Sequence, residues 1–260
     1  VQKNDRKILL TFDVEEFDVP LEYGHALSTD EQLATGKHGL DNLQVILDRP
    51  GISCTLFTTA FFGRHFPASI NALASKHEIA SHTYYHSKFA PPDLLTSRLE
   101  LERIAGKKVS GLRMPRMNAL EPGTVLAAGY RYDASIHPTW IPGRYMHLRT
   151  KRTVHESGGM LQVPASVTPH LRIPLFWLSF KNLPYPVFKR LALRTLKHDG
   201  YLSLYFHPWE FTRLEFPKVP YWIRKRSGHE MLDALNRFIQ DFSGLASFTT
   251  VEKFLDTRPE

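Results

Sequence analysis

The apolar run KILLTF at residues 7–12 breaks off into the acidic string DVEEF, and much of the chain repeats its grammar of short apolar stretch, turn and amphipathic stretch. Lys7–Phe12 reads as a buried strand, followed by a long polar loop through Pro20, Gly24 and Gly36. A helix is expected over Leu40–Asp48, stopped by Pro50-Gly51, and a second strand over Ile52–Thr58. Helix Pro67–Ala74, strand His77–Ala80, helix Asp93–Ile104, strand Val109–Met114, helix Pro122–Ala128 and strand Tyr130–Ile136 continue the order. Strands alternating with helices pair in parallel through right-handed crossovers, which makes the chain an α/β protein.

The second half is less regular. Pro138–Gly159 and Pro169–Leu183 lack periodicity, with a strand expected over Met160–Pro164 between them. Helix Val187–Leu196 has a basic outer face, strand Tyr201–Phe206 runs into HPWEF, and helix His229–Phe242 precedes SFTTVEKFL, a strand edge with one helical turn. With 260 residues, 42% of them hydrophobic, the chain buries a substantial core, and a single domain spanning residues 1–260 is expected.

Chemistry concentrates where strands end. An extended backbone points Asp13 and Glu15 to one side and Glu16 to the other. His82 and His86 stand four apart in SHTYYH, so a helical or turn backbone brings both imidazoles to one face. Glu15, His82 and His86 form a candidate set of ligands for one divalent metal, leaving a position open for water, with Asp13 beside it. Zinc suits two imidazoles and a carboxylate; cobalt, nickel and manganese fit the same cage.

Charge and cysteine content bound the partners. The net charge of +7 permits an anionic partner, but the only tight basic cluster is Arg224, Lys225 and Arg226, and no aromatic-interleaved basic motif appears, so no nucleic-acid partner is expected. The lone Cys54 forms no intramolecular disulfide and accords with a reducing compartment. No transmembrane run and no leader precede or interrupt the strands, so a cytoplasmic location is expected of the chain as it stands, and a cell-envelope one if a leader has been removed.

TFDVEEF, HTYYH, GLRMPRMN, GYRYDAS and LYFHPWEF follow one another in that order. Together they resemble the polysaccharide deacetylase family, carbohydrate esterase family four, in the branch whose first motif reads TFDVE, over roughly Lys7–Phe254. The resemblance implies a distorted, incomplete (β/α)7-type barrel with its site at the strand C-terminal ends. It implies that Asp13 is the catalytic base, that His82 and His86 bind the metal, that Arg113 pairs with Asp13, and that His207 is the general acid. Val14 stands where many members carry a metal-binding aspartate, and Glu15 is its substitute here; Arg116 and Met117 stand where the family has an aromatic residue and a glycine. Asp133 either orients His207 or caps a turn; Glu16 and Glu210 are further acidic candidates.

The function so implied is metal-dependent removal of N-acetyl or O-acetyl groups from a polysaccharide or cell-surface glycan. Two alternatives stay open: hydrolysis of a cyclic amide or ureide on the same fold, and a glycan-binding homologue without catalysis.

Overall fold

The computed structural model describes residues 6–258. It begins with β1 (Lys7–Val14) and α1 (Thr29–Leu47), then β2 (Thr55–Thr58), α2 (Ala60–His65), α3 (Pro67–Ala74) and β3 (Glu78–Ser81). Next come α4 (Asp93–Ala105), β4 (Gly111–Leu112), α5 (Pro122–Ala127) and β5 (Tyr132–Asp133). The irregular region holds the hairpin β6 (Trp140–Ile141) and β7 (Tyr145–Met146), then β8 (His155–Ser157), β9 (Met160–Gln162) and α6 (Trp177–Asn182). The chain finishes with α7 (Tyr185–Asp199), β10 (Tyr201–Phe206), α8 (Tyr221–Arg224), α9 (His229–Ser243), β11 (Ser247–Thr249) and α10 (Val251–Asp256).

One sheet runs β10-β1-β2-β3-β4-β5-β9-β8, parallel except for the β8–β9 pair, with β11 adding to β1 beside the start of β2. It curls without closing. Across the gap, the Ser166 N–H donates to the Ser203 carbonyl on β10 at 2.9 Å, where a complete barrel would have a strand ladder. This is the distorted, incomplete (β/α) barrel expected.

Alternation along β1 separates two environments. Ile8, Leu10, Phe12 and Val14 belong to the large apolar layer between sheet and helices. Leu9 packs with Phe57, Ala80, Tyr132 and Val163 inside the barrel, closed from below by Val251, Phe254 and Leu255 of α10. Thr11 and Asp13 share the parity of Leu9, so the first site carboxylate is delivered to the interior.

Helix α1 begins at Thr29, well before the expected Leu40, and the segment read as loop around Gly36 is helical. Ser28 caps it in a reciprocal capping box with Glu31. Glycine inside a helix ordinarily costs about 1 kcal/mol against alanine, and packing explains its presence here. A Cβ on Gly36 would lie 2.5 Å from the Glu15 carbonyl oxygen, and one on Gly39 would lie 1.9 Å from that of Pro208. Two glycines one turn apart let α1 press against the backbone segments that carry Glu15 and His207. Helix α2, absent from the sequence reading, is only six residues long and is capped by Thr59.

Glu78, at the start of β3, lies at the opposite end of the barrel from the strand C-termini. It accepts hydrogen bonds from Thr55 Oγ1 at 2.6 Å and Tyr132 Oη at 2.7 Å. Burial outweighs these bonds and pushes the carboxyl up to about 7. Because the folded value exceeds the ordinary 4.5, the stability contributed by neutral Glu78 is fully present below that value and is lost as pH rises through about 7.

Thermal unfolding compared at about pH 5 and about pH 8 should therefore show a larger fall in wild type than in Glu78→Gln; equal falls would refute the assignment. Gly39→Ala should lower the unfolding free energy by roughly 3 kcal/mol in denaturant titrations, since backbone blocks the added methyl. Gly123→Ala, in α5 with nothing within 4 Å of the new Cβ, should be neutral or slightly stabilising.

Candidate active site

Parallel register gathers the strand ends. Phe12 is paired with Phe206, Thr58 with Ser81, Ser81 with Leu112, and Leu112 with Asp133. The residues following these pairs, Asp13, His82, Arg113 and His207, consequently sit on one rim, where α/β enzymes place their chemistry.

Glu15, His82 and His86 are all buried and converge. Glu15 Oε2 lies 3.0 Å from His82 Nε2 and 3.2 Å from His86 Nε2. The other oxygen, Oε1, accepts from the Trp209 indole N–H at 3.1 Å, which fixes the carboxylate and leaves Oε2 without a hydrogen-bond donor. The far side of each ring is also occupied. His82 Nδ1 donates to the Arg113 carbonyl at 2.7 Å, and His86 Nδ1 lies 2.8 Å from Asp18 Oδ2. With a proton on each Nδ1, both Nε2 lone pairs face the same carboxylate oxygen.

Three acceptors at this spacing call for positive charge between them. Donors on a tetrahedral zinc with bonds of roughly 2.0–2.1 Å stand about 3.3 Å apart, close to the separations here. His82, with Nδ1 bonded to a carbonyl, and His86, with Nδ1 facing a carboxylate, resemble the outer-shell arrangement of metal-binding histidines. The residues present fit a divalent cation. The local electrostatics agree: burial opposes charge on Glu15, yet the surrounding imidazoles hold its carboxyl well below the usual range. Burial likewise pulls His86 down, but Glu15 and Asp18 outweigh it and push the ring up to about 9.

The two histidines are not on a helix. A turn brings His86 back over His82 through Thr83, a non-glycine residue with φ of 63°, and the rings stand 5.7 Å apart and nearly parallel. Val14 points into the helix layer, so its presence in the first motif removes nothing from the donor set. Glu16 turns away, as alternation requires, and accepts from Thr59 Oγ1 at 2.6 Å.

Asp13 and His207 face each other beside this trio. Arg113, 1% exposed, donates through Nη1 to Asp13 Oδ1 at 2.6 Å and to Thr11 Oγ1 at 2.8 Å, and its guanidinium lies over the Phe57 ring at 4.1 Å. Asp13 Oδ2 stays directed to His207 Nε2, 3.9 Å away. A buried arginine with these partners holds the carboxylate in place and aimed.

The orienting carboxylate of His207 is Glu210, not Asp133. Glu210 Oε1 accepts from both the His207 backbone N–H at 2.8 Å and Nδ1 at 3.0 Å, and the buried Lys181 ammonium stands 3.4 Å from its other oxygen. The His-Pro-Trp-Glu turn is a short 3-10 helix that brings position 210 back beneath position 207. Burial works against a charged His207, but Glu210, Glu15 and Asp13 together raise its pKa above the ordinary value. Asp133 takes the turn-capping alternative: it accepts from the Ser135 N–H at 2.9 Å and from the Ser135 hydroxyl, which in turn accepts from the Met114 N–H. Its effect on the site runs through the backbone that follows Arg113.

Two arginines complete the surroundings: Arg116, which the sequence marks as a departure within GLRMPRMN, and Arg144, which no periodic or motif signal reveals. Arg116, in a left-handed conformation with φ of 56°, donates to Asp18 Oδ2 at 3.0 Å, to Glu22 Oε1 at 2.9 Å and to the His86 carbonyl at 3.2 Å. It thus braces Asp18, the partner of His86. Arg144 from the β6–β7 hairpin reaches Glu22 from the other side at 2.9 Å. The resulting cavity, about 160 Å³, is walled by Tyr145, Phe176, Trp177 and Trp209 with Asp13, Glu15 and His207 at its base. The aromatics of the irregular 169–183 stretch thus divide between roles: Phe176 and Trp177 line the cavity, while Phe180 packs in the main core.

No protein-family model matches the chain, and no curated protein matches it by sequence. Solved structures do match. A putative polysaccharide deacetylase from Mycobacterium smegmatis aligns with a TM-score of 0.67 at 18% identity, covering 98% of this chain and 96% of that one. Puue allantoinase aligns over 100% of this chain and 93% of its own, with a TM-score of 0.62 and 16% identity. A pseudoenzyme of carbohydrate esterase family four from Bacillus anthracis aligns with a TM-score of 0.51 at 12% identity, over 97% of this chain and 66% of that one. At these identities the likeness lies in the backbone, and the chain has the fold of the polysaccharide deacetylases.

Proposed function

We propose that the protein is a metal-dependent hydrolase that removes N-acetyl or O-acetyl groups from a polysaccharide or cell-surface glycan. The observation that carries this reading is the meeting of a buried carboxylate–imidazole–imidazole trio with an arginine-held carboxylate and a positively biased imidazole on one rim of the barrel. A divalent cation held by Glu15, His82 and His86, with zinc the best fit to the donors and cobalt, nickel or manganese as substitutes, would supply Lewis acidity to the acyl carbonyl and to the attacking water.

The remaining steps belong to the chain's own groups. Asp13, held in place by Arg113, accepts the proton of the water through Oδ2 as that water adds to the carbonyl carbon. His207, steadied by Glu210 at Nδ1, gives an Nε2 proton to the departing amine or alcohol. The acyl carbon–nitrogen or carbon–oxygen bond breaks, and acetate and the free sugar amine or hydroxyl leave. Placing acid and base 3.9 Å apart lets one proton be taken and another given around a single tetrahedral carbon.

A second reading keeps the site and changes the substrate. The small aromatic-walled cavity, with Arg144 and Arg116 joined through Glu22 along its lining, and the backbone likeness to an allantoinase favour a small cyclic amide or ureide over a long polymer. A glycan-binding role without catalysis is the remaining alternative; the fold also occurs in a pseudoenzyme from Bacillus anthracis.

Acetate release from acetylated chito-oligosaccharides, measured beside ring opening of cyclic ureides and imides, separates the first two readings, and turnover of neither class supports the third. On whichever substrate turns over, Asp13→Asn should lose roughly 10²–10⁴-fold in kcat, whereas undiminished turnover would remove Asp13 from the mechanism. Metal content after dialysis should fall from near stoichiometric in wild type to near zero in His82→Ala; retention of a full equivalent would refute the ligand set.

A further inference from the structure

Charge is distributed unevenly along this chain. Between Ala134 and His198 lie ten of its 33 lysines and arginines and one of its 26 acidic residues, Glu156, so this quarter of the chain carries a net +9 and the remainder a net −2. Three pieces make up its outer surface: the β6–β7 hairpin with the residues after it, the loop at 169–172, and α7. The fold makes them contiguous. Arg172 Nη1 donates to the carbonyls of Pro138 and Thr150 at 3.0 and 2.9 Å, Arg152 pairs with Asp199 at the end of α7, and the His170 and His198 rings meet edge to face at 6.2 Å.

This surface is also apolar in an unusual way. Ile141 and Tyr145 pair across the hairpin and line the catalytic cavity, so the adjacent pair, Trp140 and Met146, points outward, 58% and 72% exposed. Leu171 is 80% exposed beside the hairpin base, and Trp222 of α8 is 57% exposed where Asn182 holds its carbonyl just before α7. Around these side chains stand exposed cations. Arg190, Arg194 and Lys197 form one stripe along α7, and they, like Arg149 and Lys151 after the hairpin, have no ion-pair partner among the described residues.

We propose that this face docks on the surface of an anionic lipid bilayer. Indole and aliphatic side chains ringed by unpaired Lys and Arg match the two attractions such a surface offers: tryptophan settles at the headgroup level, and basic residues are drawn to anionic headgroups within a Debye length. Sugars stack on aromatic faces but gain little from Met146 and Leu171, and neutral sugars gain nothing from the stripe on α7. No helix among the described residues is long and apolar enough to cross a membrane, and what is proposed for this face is peripheral docking. The hairpin contributes its outer side to this face and its inner side to the cavity, which puts the cavity beside the bilayer. The inference rests on charge and exposure and is independent of the hydrolytic reading.

Co-sedimentation of the full chain with vesicles tests it. Wild type should bind vesicles containing phosphatidylglycerol, bind pure phosphatidylcholine vesicles weakly, and be released by salt. Arg190→Ala/Arg194→Ala/Lys197→Ala should lose about fivefold in partition coefficient per residue removed, roughly a hundredfold in all. Trp140→Ser/Trp222→Ser should weaken binding while leaving its salt dependence in place. Unchanged near-ultraviolet circular dichroism, and unchanged turnover on a soluble substrate, would show that these variants keep the fold and the site. Absence of binding to anionic vesicles, or wild-type binding by the triple variant, would overturn the proposal. Retention on an acidic polysaccharide without vesicle binding would also overturn it and point to a polyanionic glycan.

Discussion

Everything at the active rim depends on the parallel pairing of β1 between β10 and β2. With Phe12 opposite Phe206 and Asp13 opposite Phe57, side chains alternate between the helix layer and the barrel interior, and a slip of one residue would send Leu9, Thr11 and Asp13 into the apolar layer. The cost of such a slip is high because both layers are densely apolar and Asp13 would lose Arg113. Register is therefore held from both sides, by hydrophobic burial on even positions and by a buried ion pair on an odd one.

From that pairing a second constraint follows. Charged groups taken out of water must find partners, and here they do so in short chains that end on the rim residues Asp13, His207 and His86. Arg113 satisfies Asp13; Lys181 stands behind Glu210, which satisfies His207; Arg116 satisfies Asp18, which faces His86. Glu15 Oε2 is the point where two buried imidazole nitrogens converge on one carboxylate oxygen. That convergence of a carboxylate and two imidazoles is the physical basis for proposing a cation there. Helix α1 contributes by what it lacks, since its two glycines allow the backbones bearing Glu15 and Pro208 to approach it directly.

Local patterns carried much of this. Period-two alternation separates Asp13 and Glu15 from Glu16, and the four-residue spacing of His82 and His86 brings their rings together even though the backbone is a turn. Helices α3 and α4 and strand β10 lie within a residue of where apolar periodicity and breakers put them. Short elements were harder to read. Strands β4 and β5 have only two residues each, and α2 has six, too few to show a period. Gly36 and Gly39 imitate a loop because helix propensity is local, whereas the packing that overrides it is not.

What the sequence determined by itself is the alternation that makes the fold α/β, the parity that turns Asp13 and Glu15 to one side, and the paired imidazoles. The tertiary structure alone decides which groups meet: Lys181 behind Glu210, Asp18 behind His86, Arg116 braced on both acids, and one continuous basic and apolar face built from three separated segments. The physical reason is range. Alternation and helical spacing act over a few residues and can be read from neighbours, while these meetings join residues up to a hundred positions apart and exist only once strand register and crossover packing have fixed the distances between them.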